Sequence, residues 1–352
     1  YLVYAYAESR AHVKHRLRVC PMAPDGSRLL DAGQIVFHEP EKHPILEGPK
    51  FLKKDGWYYI LAPAGGVEAG WQVALRSKNI YGPYEDRIVL AQGNTPINGP
   101  HQGALVDTPD DGWWFVHFQD ANVYGRVVHL QPVEWVDGWP LMGKQGEPVL
   151  HHEKPRIAPA QMICAPQTGD EFDGSTLGLQ WQWNANHGDD WYSLTARPGW
   201  LRLAPQPLAA TFAVQPNLLL QKLPARFFSV ETSLELVSGQ SGEEAGLVLT
   251  GESPVLLGLR CDGEKKRMVL HSPDGQEQHF EINSDKAILR MKFHDGGRCS
   301  FAFVVNGEVV NIPQVFQATK GLWIGAKVGL YSVKRRLTGA AGFADFDYFR
   351  FV

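Results

Sequence analysis

No apolar stretch in this 352-residue chain approaches the ~20 residues a membrane-crossing helix needs. Basic clusters are missing too. The net charge is −4, and no positive stripe of the kind a nucleic-acid binder carries can be found. Cysteine is scarce. Cys20, Cys164, Cys261 and Cys299 stand far apart, with neither metal-ligand spacing nor disulfide density, and read as mostly reduced and buried. No segment keeps a 3.6-residue apolar period for long, which disfavours helical solenoids. No secretory leader is seen. The chain opens on Tyr1 rather than Met, so that lack says nothing about export.

What is present is ordinary globular composition, 44% apolar and 20% charged, at a length that suggests two domains. Glycine (36) and proline (24) together make about one residue in six, above the usual one in eight. They fall between short aromatic runs, the pattern of a turn-rich all-β protein. Eleven tryptophans suit aromatic core packing, and an exposed indole would also suit the C–H face of a sugar.

Two segments repeat. "GPKFLKKDGWYYILAP" starts at Gly48 and "GPHQGALVDTPDDGWWFVHF" at Gly99, 51 residues on. Each has Gly-Pro, a short strand, a polar turn and an aromatic strand, and a further strand follows. A period near 50 with about four strands per unit is the signature of a β-propeller blade. "YLVYA" at the start matches the second strand of that unit, so the chain is expected to begin inside a blade. Residues 1–155 would then hold about two and a half blades of a longer protein.

The proline-bearing stretch from His151 to Gly174 reads as a connector. Beyond it come about ten short alternating strands, including "FFSVETSLELV", "EAGLVLTG" and "CSFAFVVNGEVV". The Asn-Gly in "VNGE" (Val305–Glu308) signals a hairpin. Residues 156–352 are therefore expected to form a two-sheet β-sandwich.

These residues carry a family resemblance. "LEGPKFLKKDGWYYILAPAGG", "ALRSKNIYGPYE", "GNTPINGPHQGALVDT" and "GRVVHLQPVEWVDGWP" resemble blades three to five of a family 43 glycoside hydrolase. "GDEFDGSTLGLQWQWNANHGDDW", "PNLLLQKLPA", "GLWIGAKVGLYSV" and "GFADFDYFRF" resemble the concanavalin-like jelly roll fused to that catalytic domain in the arabinofuranosidase and β-xylosidase branch. The resemblance implies the C-terminal part of a five-bladed propeller followed by a sandwich. It implies an inverting, exo-acting enzyme that removes single α-L-arabinofuranosyl units from plant cell-wall oligo- or polysaccharides. A β-xylosidase or a bifunctional enzyme is the near alternative. A non-catalytic carbohydrate-binding protein is the alternative of another class.

Family chemistry uses a general base, a pKa-tuning Asp and a general acid Glu. The acid sits in "EGP" and maps to Glu47. The resemblance places the other two upstream of Tyr1, and implies that residues 1–352 alone do not catalyse. Ile45, Leu46 and Pro49 flank Glu47, so partial burial is expected to raise its pKa. His101, at the repeat position of Lys50, is implied to face the propeller axis and touch a cation or water there. Arg126 is implied to hold the sugar, since a planar guanidinium fork suits vicinal hydroxyls. Trp71 follows the "GG" turn and is a candidate wall of the sugar pocket. Asp170 with Asp345 or Asp347, near the two ends of the sandwich, forms a candidate structural calcium site, with His101 as a weaker ligand elsewhere. No organic cofactor is expected.

Overall fold

The computed structural model describes residues 1–156, 164–237, 240–263, 265–336 and 342–352. Residues 157–163, inside the proline-bearing connector, lie outside that description. The chain divides into two compact units, one of Tyr1–Asp120 with Arg126–Met162 and one of Ala121–Gly125 with Ile163–Val352.

The first unit holds eleven strands: β1 (Leu2–Ala5), β2 (Leu17–Cys20), β3 (Gln34–Phe37), β4 (Lys50–Lys54), β5 (Trp57–Ala64), β6 (Trp71–Ser77), β7 (Glu85–Ala91), β8 (His101–Asp107), β9 (Trp113–Asp120), β10 (Arg126–Val136) and β11 (Trp139–Met142). They make three antiparallel meanders, β1-β2-β3, β4-β5-β6-β7 and β8-β9-β10-β11. Four strands per repeat is what the 51-residue spacing predicts, and β4 and β8 start 51 residues apart. Alternation alone does not describe the middle meander. In β5, every residue from Tyr59 to Ala64 is buried, because both faces of its sheet are covered. One face packs Ile60, Ala62, Val73 and Leu75 against Leu17, Val19 and Phe37 of the first sheet. The other packs Leu61, Ala74 and Leu90 against Phe115, Trp139 and Met142 of the third.

The second unit adds β12 (Gln182–Trp183), β13 (Tyr192–Ser193), β14 (Leu201–Leu203), β15 (Gln206–Pro207), β16 (Leu219–Lys222), β17 (Phe228–Val237), β18 (Glu243–Thr250), β19 (Val255–Asp262), β20 (Lys265–His271), β21 (Glu277–Ile282), β22 (Lys286–His294), β23 (Arg298–Val305), β24 (Glu308–Gln317), β25 (Lys327–Lys334) and β26 (Phe343–Phe351). Two sheets result. One runs β12-β16-β25-β18-β19-β20-β21, with β15 beside β25, and the other β13-β14-β26-β17-β22-β23-β24. Their inner faces enclose a single core that includes Leu234, Leu247, Leu257, Phe293, Phe303 and Phe346. The Asn-Gly signal holds: Asn306 and Gly307 take φ of 51° and 82° and join β23 to β24 in register. The strand near Asp170 and the last strand are neighbours, since Asp170 and Phe349 exchange both backbone hydrogen bonds at 2.7 Å. Cys20, Cys261 and Cys299 are buried free thiols, in line with cysteines that are mostly buried, whereas Cys164 is exposed.

Candidate functional site

Glu47 lies between β3 and β4 on a segment tied to the end of β5. Its N–H donates to the Pro63 carbonyl (3.1 Å), and Gly65 N–H returns a bond to the Pro44 carbonyl (2.7 Å). Two positions hold unusual backbone. Ile45 sits at φ 55°, a genuine outlier for a β-branched residue, with its N–H donated to His15 Nδ1. Gly48 sits at φ 52°, and a Cβ there would stand 2.0 Å from the Gln102 amide oxygen. The glycine of "EGP" is thus required twice, by backbone conformation and by the approach of Gln102.

That approach defines the site. Gln102 itself takes φ 51°, within a register slip of β8 against β9 between His101 and Ala104. The slip lets two consecutive side chains reach one carboxylate oxygen. His101 Nε2 lies 2.8 Å from Glu47 Oε1, and Gln102 Nε2 donates to the same oxygen at 3.1 Å. His101 is buried, while the Glu47 side chain remains 44% exposed. Glu47 Oε2 makes no hydrogen bond among the described residues. Arg126, exposed at the start of β10, lays its guanidinium 4.4 Å from the centre of the Phe118 ring, and that ring lies 5.8 Å from His101.

The electrostatics differ from the sequence expectation. The hydrogen bond from His101 is the main influence on Glu47, and it holds the carboxyl below the usual range. Burial acts the other way, and the charge interaction with His101, the Gln102 bond and the positive charge of Arg126 add to the depression. Flanking apolar residues alone suggested a raised value. They do not decide it, because the donors that converge on Oε1 stabilise the charged form more than desolvation penalises it.

Trp71, at the start of β6, is half-buried. Its indole N–H donates to His43 Nδ1 (3.2 Å), and His43 Nε2 lies 2.8 Å from Asp86 Oδ2, which Lys42 also reaches at 2.6 Å. The ring crosses Gly65 so closely that a Cβ there would stand 2.8 Å from it, which explains the glycine in "GG". His43, Asp86 and Gln102 are positions that sequence reasoning missed or left aside. Only Gln102 carried a signal, its place beside His101 in "NGPHQGA". Gln119 is engaged elsewhere, donating to the Pro96 carbonyl and Asn98 and paired with His129.

The calcium expectation can be tested against donor chemistry. His101 Nδ1 is buried and has no partner among the described residues, so an imidazole nitrogen is available. Yet among the described residues no group of three or more His, Cys, Asp or Glu converges to hold a metal ion. In the sandwich, Asp170 Oδ1 accepts the Phe172 N–H, and its Oδ2 accepts from Trp181 (2.8 Å) and Gln180 (3.3 Å). Asp345 is buried against Arg202 and Arg197. Asp347 is half-buried, with its charge felt at Arg350 and Tyr348. Asp170 and Asp345 are thus each held by three N–H donors, whereas calcium takes six to eight oxygen ligands.

Known proteins show the same two parts. Residues 1–140 match the family described as glycosyl hydrolases family 43, and residues 169–352 match the β-xylosidase C-terminal concanavalin A-like domain. A putative β-xylosidase of Xylanibacter ruminicola is 40% identical over 337 residues, covering 92% of this chain and 61% of that protein. The non-reducing end α-L-arabinofuranosidase BoGH43B of Bacteroides ovatus is 33% identical over 223 residues, 58% of this chain and 41% of that protein. The solved structure of the Bacteroides ovatus xyloglucan-locus GH43B shares the fold, with a TM-score of 0.86 at 24% identity over 99% of this chain and 73% of its own. The chain spans about three fifths of the length of the first of these relatives.

Proposed function

Because this chain belongs to glycosyl hydrolase family 43, we propose that Glu47 is the general acid of an exo-acting, inverting glycosidase that releases terminal α-L-arabinofuranosyl units from plant cell-wall oligo- and polysaccharides. The observation that carries this reading is the asymmetric hold on the carboxyl. His101 and Gln102 fix Oε1, while Oε2 is unbonded among the described residues and belongs to a side chain open to solvent. Oε2 is the oxygen that can carry a proton to a glycosidic oxygen. Arg126 stands close enough for its charge to act on Glu47 and is exposed to meet sugar hydroxyls. Trp71, steadied by His43, walls the sugar. The three meanders are part of a five-bladed propeller. β-Xylosides are the second reading, favoured by the name of the 40%-identical Xylanibacter relative.

The test compares wild type with Glu47→Gln in the protein as the gene encodes it. Substrates are nitrophenyl α-L-arabinofuranoside, nitrophenyl β-xyloside and unactivated oligosaccharides of each sugar. General acid catalysis contributes roughly 10²–10⁴-fold, so the loss should reach that range on oligosaccharides and be smaller on nitrophenyl glycosides, whose leaving group needs little protonation. NMR of the first product should show inverted anomeric configuration. Retention, or an equal and small loss on both substrate kinds, would sink the assignment. No hydrolysis of any substrate, with binding intact, would instead favour the carbohydrate-binding alternative.

A further inference from the structure

The sandwich carries a second polar centre that the reading above does not use. It lies on the outer face of the β12-containing sheet, whose strands β18 and β19 are buried on both faces. That face is roofed by the 208–217 segment, with Leu208 and Phe212 packed on Val248, Leu256, Tyr331 and Val333. Six ionisable side chains gather at the edge of this apolar layer. Glu244, fully buried, accepts from Arg260 Nε (2.6 Å), His271 Nε2 (2.6 Å) and the Tyr331 hydroxyl (2.6 Å). Arg260 grips Glu277 with both terminal nitrogens (2.7 and 2.8 Å), and Arg335 adds a bond to Glu277 at 3.0 Å. Gly258 makes room, because a Cβ there would stand 2.1 Å from the Tyr331 hydroxyl.

Such a network is an expensive way to fill a sheet face. A buried ion cluster rarely stabilises a fold more than apolar packing of the same volume would. Three of its members, His271, Glu277 and Arg335, line a cavity of about 380 Å³, within the size range of small-molecule sites. The cavity has two unlike walls. One is apolar, with Phe212, Pro254 and Pro273; the other presents His271, Glu277 and Arg335. Phe212 is held edge-on to His271 and Tyr331, with ring centres 5.0 and 5.7 Å apart. Glu277 and Arg335 remain 28% and 38% exposed, an acceptor and a donor side by side in a fixed geometry.

We propose that this cavity is a second saccharide site that takes one unit of a neutral sugar chain, with the C–H face against Phe212 and adjacent hydroxyls on Glu277 and Arg335. Charge selects the class. Glu244 and Glu277 balance Arg260 and Arg335, and Glu252 at the rim adds a negative charge, so an anion gains nothing. A metal cation would meet the guanidinium charges of Arg260 and Arg335, both paired with Glu277, and is repelled. Hydroxyls, which both donate and accept, fit a fixed carboxylate beside a fixed guanidinium.

The full chain is titrated with xylotetraose and arabinotriose, and with glucuronic acid as an anionic control, by calorimetry and saturation-transfer NMR. At least one neutral probe should bind. Its Kd should weaken about tenfold or more in Phe212→Ala and in Arg335→Gln, and stay the same in Glu47→Gln. Melting curves of each variant report folding. If Phe212→Ala does not fold, the rim substitution Arg335→Gln decides alone. Absence of binding by both neutral probes, binding indifferent to Arg335→Gln, loss of binding in Glu47→Gln, or capture of glucuronic acid alone would each overturn the proposal.

Discussion

Glu244→Gln removes one charge from the most enclosed ion pair described in the sandwich and keeps the side-chain shape. The Gln carbonyl can still accept from one neighbour, but Arg260, His271 and Tyr331 all donate to Glu244, and Arg260 loses its buried counter-charge. Breaking a buried pair from one side costs about 3–5 kcal/mol. For a unit of this size, 1 kcal/mol moves the melting temperature by about 2–4 °C, so the transition that reports the sandwich should fall by roughly 6–20 °C. Acid provides an independent check. The bonds from His271 and Tyr331 and the charges of His271 and Arg260 outweigh burial and hold the Glu244 carboxyl at about 2, against an ordinary 4.5. A carboxyl depressed by folding contributes stability above its unfolded value and loses it as the pH falls through the folded one. The contribution is therefore complete above about pH 5 and drains between about pH 4.5 and 2, with a total near 3 kcal/mol at 1.36 kcal/mol per decade. Scanning calorimetry of wild type and Glu244→Gln at pH 7, 5 and 3.5 reads both effects. The variant should start lower at pH 7 and lose less on acidification. A drop below about 3 °C at pH 7, or parallel acid profiles, would refute the view that this network is charged and coupled.

Gly48→Ala should destabilise the first unit, since an Ala in the left-handed region costs about 1–2 kcal/mol and its Cβ meets the Gln102 amide. The double variant with Gln102→Ala should recover the steric part, and melting curves that show no recovery would remove that contact from the explanation. His43→Ala should cost about 1–3 kcal/mol by leaving the Trp71 indole and Asp86 short of a partner, and should raise KM more than it lowers kcat in the encoded protein; an unchanged KM would separate Trp71 from substrate binding. Chelation should leave the sandwich transition unmoved, because Asp170 and Asp345 are each held by three N–H donors, and a fall in its melting temperature on adding EDTA would place a cation there.

Much of the fold was legible because its signals are local. The Gly-Pro and Asp-Gly punctuation at a 51-residue interval marks the strand limits of two meanders, and "VNGE" names its own turn. Glu47 was legible as a candidate through the "EGP" motif. The sign of its pKa shift was not, since that depends on a bulge 55 residues away that brings His101 and Gln102 onto one oxygen. His43 was hidden for a similar reason. It looks like an isolated histidine before a proline, and only the pairing of β6 with β7 brings Asp86 and Trp71 to its two ring nitrogens. The ionic cluster under the 208–217 segment was equally silent. Glu244, Arg260, His271 and Glu277 lie on the four consecutive antiparallel strands β18 to β21, and no local motif links them.

The depressed carboxyl of Glu47 bears directly on how a general acid would work here. A group that donates a proton near neutral pH must hold it in the resting state, and His101, Gln102 and Arg126 all favour its loss. Two changes can reverse that balance. Substrate can displace water from the 44% exposed side chain, which strengthens the burial already pushing upward. A second carboxylate within about 4–6 Å can oppose the charge outright, which is the role the family resemblance gives to its tuning Asp. The second acts on the charge itself, whereas the donors on Oε1 come from the two consecutive residues His101 and Gln102. The geometry of Oε1 then serves orientation rather than acidity. Under the proposed role, it pins one oxygen so that the other would present its proton along a fixed direction, and the charge that keeps the proton in place would come from a neighbouring acid.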